Sequence, residues 1–175
     1  MTDHELIEQF IHGDENAFNN LVRRHQSWVL NFVEQTVRDS EAAKDISQDI
    51  FVKVYFALPK FRFEAEFKTW LYRIVINQMN SHFRKEKLLS WFRVDLPDQI
   101  ASEDETVQEQ PRKDLVRLVN QLPRVQRNVT VLRLYQQLQF KQVAAILAIT
   151  ENSAKVSFHK AKKNLERMSN GLISR

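Results

Sequence analysis

The sequence has no cysteine, and only two glycines and four prolines among 175 residues. Each shortage excludes something. Without cysteine there are no disulfides, no thiolate metal sites and no cysteine nucleophile, and the chain suits a reducing cytoplasm. Glycine occurs only at Gly13 and Gly171, so a glycine-rich phosphate cradle, and with it the P-loop and dinucleotide motifs, is missing. No run of about 18 apolar residues is present to span a bilayer. The opening residues, MTDHELIEQF, are acidic and lack the apolar core of a signal peptide. Few helix breakers and long periodic segments predict an all-α protein.

Charge is unevenly distributed. The formal net charge is +4, but residues 1–56 carry −5, 57–93 carry +5, 94–114 carry −5 and 115–175 carry +9. Two basic blocks around an acidic one fit a polyanionic partner better than a face kept charged for solubility alone.

The pattern predicts a first helix from about Asp3 to Ile11, with Thr2 and Glu5 spaced as a capping box and Gly13 ending it. Asp14 is placed to cap a second helix reaching Val37, and Ser40 a third that Pro59 stops. A fourth runs from Phe67 to Lys87. Residues 93–110, RVDLPDQIASEDETVQEQ, are polar, acidic and aperiodic, as a linker would be. Further helical segments follow. The predicted organisation is two small helical domains, 1–92 and 111–175, joined by an acidic tether.

The fourth helix has an unusual polar face. Advancing about 100° per residue, Phe67, Leu71, Tyr72, Ile74, Val75, Ile76, Met79 and Phe83 share a wide arc that reads as core. The remaining strip holds Thr69, Arg73, Asn77, Asn80, Ser81 and Arg84, with Trp70 at its border. No acid occurs between Glu66 and Glu86. A solvated helix face normally mixes both signs of charge. Arginine grips phosphate, asparagine reads base edges and tryptophan stacks on exposed bases, so the strip points to nucleic acid.

The C-terminal stretch QFKQVAAILAITENSAKVSFHKAKKNL has the layout of a helix-turn-helix. Phe140 to Leu147 form its first helix, with Val143, Ile146 and Leu147 inward. After a break, Thr150 is placed to cap the second. There Ala154, Phe158, Ala161, Leu165 and Met168 make a narrow apolar stripe. The opposite face presents Asn152, Lys155, Val156, His159, Lys160, Lys163 and Arg167, which suits a major groove. His159 has no second ligand near it at metal spacing.

These blocks together resemble the extracytoplasmic-function, or group 4, sigma factors of the sigma-70 superfamily. The N-terminal likeness is in DISQDIFVKVYFALPKF followed by FKTWLYRIVINQ. The C-terminal likeness is in QLPRVQRNVTVLRL followed by SAKVSFHKAKKNL. The resemblance implies a sigma-2 helical bundle at 1–92 and a sigma-4 helix-turn-helix at 111–175. It implies a protein that is not an enzyme and needs no cofactor or metal. Its expected partners are promoter DNA and core RNA polymerase, through the clamp helices of the largest catalytic subunit and the flap of the second. Some members are held by an anti-sigma factor, and the likeness allows one here. It places the protein in the cytoplasm with no membrane insertion.

The resemblance also assigns residues. Asp45, Gln48, Asp49, Phe51 and Lys53 match the core-binding helix; without the family, Asp45 and Asp49 would read as a solvated acidic face. The loop from Phe61 to Phe67, including Arg62, Phe63 and Glu64, matches the loop that captures a flipped base of the −10 element. Thr69, Trp70, Arg73, Asn77, Asn80 and Arg84 lie where the melted strand would pass. Asn152, Ser153, Lys155, Val156, His159, Lys160 and Lys163 fall on the recognition helix for the −35 element.

The chain departs from the family at Phe63 and Ala148, where glycine is frequent, and the Phe63 change puts the loop's backbone shape and base choice in question. Lys141 and Gln142 replace a common acidic pair, and Val156 and Ser157 stand where polar or basic residues are frequent. Two other classes remain as alternatives: a dimeric helix-turn-helix regulator, which would leave the acid-free strip unexplained, and a helical interaction protein without DNA, or an enzyme, for which no paired carboxylates or Ser/His/Asp set is visible.

Overall fold

Thr2 begins the first helix as its spacing predicts. Its hydroxyl accepts the Glu5 N–H at 3.2 Å, and the Glu5 carboxylate accepts the Thr2 N–H at 2.8 Å. This capping box opens α1, Asp3–Ile11. Gly13, at φ 101°, makes the turn that follows. The Asp14 carboxylate accepts from Asn16 N–H at 2.9 Å and opens α2, Glu15–Val37.

The computed structural model describes the backbone of residues 1–92 and 110–173, and side chains within 1–89 and 115–170. Among these there are eight α-helices, one short 3-10 turn and no strand. The expected acidic linker, 93–110, lies outside the described residues except for Gln110, which starts a helix.

Two expected boundaries shift. The third helix, α3, is Ser40–Ala57, but its cap is Asp39, whose carboxylate accepts the Ala42 N–H at 3.0 Å. Ser40 is already inside. Adjacent Asp and Ser are both competent caps, and the ionised one also complements the helix dipole. Pro59 sits in the 3-10 turn Leu58–Lys60 that closes α3, as expected. The fourth helix, α4, Phe67–Phe92, runs past Lys87, because no glycine or proline intervenes before Pro97.

The C-terminal half contains α5, Gln110–Gln121; α6, Arg124–Leu134; α7, Phe140–Leu147; and α8, Glu151–Ile173. In the N-terminal half Ile7, Leu21, Phe32, Ile50, Leu71 and Val75 are fully buried between the first four helices. In the C-terminal half Val129, Leu132, Val143, Ala154 and Ala161 are buried in the same way. The apolar cluster is continuous between them, and α4 packs on α7. The two halves therefore lie against each other.

Candidate nucleic-acid interface

α4 divides as its periodicity predicts. Phe67, Leu71, Tyr72, Val75, Ile76 and Met79 are buried, and Ile74 and Phe83 half-buried. Arg73, Asn77 and Arg84 are exposed, and Thr69, Asn80 and Ser81 partly so. Trp70 is half-buried: its ring packs against Phe61 at 5.1 Å and Phe67 at 5.7 Å. The core thus holds the strip rigidly from behind.

The strip is not open to solvent along its whole length. Arg73 donates to the Ala145 carbonyl of α7 at 2.8 Å. Asn80 accepts from Arg127 of α6 at 3.0 Å, and that guanidinium lies 4.5 Å from the Phe83 ring centroid. Burial lowers the Arg127 pKa from its ordinary value, with nearby Arg124 adding to the effect. Farther along, Gln136 Oε1 accepts from Trp28 Nε1 at 2.8 Å and from the Tyr72 hydroxyl at 3.2 Å. Burial pushes the Tyr72 phenol up to about 12, so it stays a neutral donor. Beside these contacts is a crevice of about 1880 Å³ between α4 and α5–α6, and Asn77, Asn80, Ser81 and Arg84 line it.

The loop before α4 separates its two phenylalanines. Phe61 is buried and joins the core, whereas Phe63 is 37% exposed. Phe63 adopts φ 57°, the left-handed conformation that glycine favours. Placing phenylalanine here thus keeps the backbone region that glycine favours. It costs roughly 1–2 kcal/mol, opposed by ring contacts with Phe61 at 4.9 Å and His4 at 4.2 Å. Arg62 and Glu64 are exposed on either side.

On α3, Asp45, Gln48, Asp49 and Lys53 are exposed and Phe51 is half-buried. They do not form one patch. Lys53 donates to Gln78 of α4, which in turn donates to Asp49 at 3.0 Å. Gln48 and Phe51 instead line an apolar groove of about 890 Å³ toward α2, together with Phe18, Val22 and Val52. Val52 and Phe56 are 55% and 72% exposed. These two residues were missed by the sequence reading; the signal was an apolar i, i+4 pair on the polar side of α3.

The helix-turn-helix forms as expected. The N–H of Ser153 donates to the Thr150 hydroxyl at 3.1 Å, which caps α8. Ala154 and Ala161 are buried, and Phe158, Leu165 and Met168 partly so. Asn152, Ser153, Lys155, Val156, His159, Lys160 and Lys163 are all exposed. Lys155 pairs with Glu151 at 2.7 Å, which orients its ammonium near the helix start. Ala148 ends α7 at φ 53°, again in the conformation of the glycine it replaces. Among the described residues no group of three or more metal-ligating side chains is gathered, and no helix is long and apolar enough to cross a membrane.

Comparison with known proteins accounts for both blocks. Residues 21–88 match the family described as Sigma-70 region 2, and residues 112–165 match Sigma-70, region 4. The chain is 28% identical to the ECF RNA polymerase sigma-E factor of Escherichia coli K12, covering all of this chain and 98% of that one. It is 26% identical to the RNA polymerase sigma-H factor of Pseudomonas aeruginosa over 94% of this chain and 92% of that one. In fold it is similar to CnrH, solved in complex with the cytosolic domain of CnrY, with a TM-score of 0.68 at 21% identity over 97% of both chains. It is also similar in fold to RpoE of Bartonella quintana, solved with the anti-sigma factor NepR, with a TM-score of 0.62 at 19% identity over 87% of this chain and 96% of that one. Two matched regions in the right order, on the helices that carry the acid-free strip and the basic recognition face, place the chain among the extracytoplasmic-function sigma factors of the sigma-70 superfamily.

Proposed function

We propose that this sigma factor opens a promoter by trapping one DNA strand on α4 while α8 anchors the upstream duplex. As a sigma factor it is not an enzyme: it joins core RNA polymerase and directs initiation at promoters. The observation that carries the residue-level reading is the acid-free face of α4, set rigidly on a buried core. Unstacking a base costs a few kcal/mol. Stacking it on an aromatic ring returns roughly 1–3 kcal/mol per base, and cations neutralise the phosphates. In this reading Trp70 stacks, Arg73 and Arg84 hold phosphate, and Thr69, Asn77 and Asn80 hydrogen-bond bases or sugars. The loop of Phe61, Arg62, Phe63 and Glu64 receives the flipped base. Asn152, Ser153, Val156 and His159 face the −35 bases, with Lys155, Lys160 and Lys163 toward phosphate.

Arg73 and Asn80 of the strip are held by Ala145 and Arg127 of the other half. In this reading the two halves separate when the strip takes up DNA, and the polymerase surface supplies their new partners. The domain limits 1–92 and 111–175 belong to this reading.

On α3, the groove of Gln48, Phe51, Val52 and Phe56 is the apolar part of the polymerase contact, and Asp45, Asp49 and Lys53 its polar part. The two solved relatives, one with CnrY and one with NepR, support an inhibitory partner of the same kind here. The working place is the cytoplasm, where the polymerase is.

Transcription in vitro with core polymerase and a fragment library tests the function as a whole. Defined start sites should appear only when the chain is added; an unchanged transcript set would overturn the reading.

A further inference from the structure

The first helix lies outside the matched stretch 21–88, so the family match assigns it no role. It nevertheless forms one wall of a cleft of about 580 Å³. Asp3, His4 and Ile7 of α1 face Phe63, Glu66 and Lys68 across it. A cleft of this volume is in the range that holds a small planar ligand.

α1 is fixed in place, not frayed. Arg24 of α2 donates to the Asp3 carboxylate at 2.6 Å and to the Met1 carbonyl at 2.9 Å. The same carboxylate is 2.9 Å from His25 Nε2. His4 follows Asp3 directly on α1, and its ring centroid is 4.2 Å from that of Phe63. Phe63 is the residue held at φ 57°. A bulky side chain keeps such a backbone only when its surroundings hold it there. Phe61 supports one side of its ring and His4 another. Glu8 lies 3.6 Å from His4 Nδ1, and both side chains are exposed.

We infer that His4 is a positioning residue for base capture: it fixes the Phe63 ring as the stacking wall of the cleft, and through that ring sets which unstacked base of the −10 element is accepted. The inference rests on the proposed role of the Phe61–Phe67 loop. A nucleobase fits because it is planar, with one face for the Phe63 ring and polar edges for Glu66 and Lys68, which also line the cleft. The His4 side chain is 57% exposed, so its replacement leaves the fold intact.

The test is holoenzyme reconstituted from core RNA polymerase and the full chain, transcribing a promoter library with every base at each −10 position. Wild type should discriminate at one or more of these positions. His4→Ala should flatten that preference at one position by about fivefold or more, within the range of a lost base contact, and leave −35 preferences unchanged. His4→Phe, which keeps a ring against Phe63, should restore it. Unchanged discrimination in His4→Ala, equal weakening at every position, or a flat profile in His4→Phe overturns the inference. A wild type with no preference at any −10 position would sink the base-capture reading itself, which separates the two failures.

Discussion

The guanidinium of Arg127, on α6, donates to Oδ1 of Asn80, on α4, at 3.0 Å. One residue belongs to the half proposed to bind the upstream duplex and the other to the proposed strand-binding strip. The contact occupies an asparagine of that proposed strip. Arg73 is occupied in the same way by the Ala145 carbonyl.

Loosening this contact should favour strand binding by the free chain. Arg127→Ala with Gln136→Ala removes the partners of Asn80, Trp28 and Tyr72. Hydrogen bonds at an interface are worth about 0.5–1.5 kcal/mol each, so affinity for a −10 single strand should rise several-fold. Fluorescence anisotropy with a labelled oligonucleotide reads the affinity, and energy transfer between dyes on α2 and α8 reads the separation. Equal affinity and equal transfer would mean the contact does not mask the strip.

Ala148 adopts φ 53° at the end of α7. Ala148→Gly removes the left-handed penalty of roughly 1–2 kcal/mol but makes the unfolded chain more flexible, at a cost of about 0.4–1 kcal/mol. The net expectation is a gain of about 0.5–1 kcal/mol and a Tm higher by a few degrees. A lower Tm in thermal denaturation would show that the turn is not strained by its side chain.

His25 is buried beside Phe67, with their ring centroids 5.2 Å apart. Burial lowers its pKa below the ordinary 6.5, although Asp3 opposes the shift. The folded chain therefore favours the neutral ring. Its contribution to stability is complete above pH 6.5 and is lost as pH falls through the lower folded value. His25→Gln should have a shallower fall in Tm than wild type as pH drops from 6.5 through the lower folded value. Parallel curves would remove His25 from the account.

The local features were legible in the sequence because their causes are local. Thr2, Asp14 and Thr150 cap helices through partners within three residues. The strip and the recognition face follow from 3.6-residue periodicity. What was not legible depends on distant parts of the chain. Trp28 and Gln136 are 108 residues apart, and no spacing rule joins them. Trp28 read as one more apolar position. His4 draws no separate reading, and the sequence leaves the effect of Phe63 and Ala148 on the backbone open. At both, the backbone lies in the left-handed region glycine favours, and at Phe63 the rings of His4 and Phe61, which the sequence alone does not identify as neighbours, lie against it.

The central claim is that α4 holds the unwound strand. Replacing Trp70, Arg73 and Asn77 together with alanine tests it most directly, with permanganate footprinting of thymines in a promoter bound by reconstituted holoenzyme. The account predicts that the variant still joins core polymerase and still binds the upstream element, while reactivity of the −10 thymines falls at least tenfold, about 1.4 kcal/mol or more in opening. Wild-type reactivity in the triple variant would contradict it.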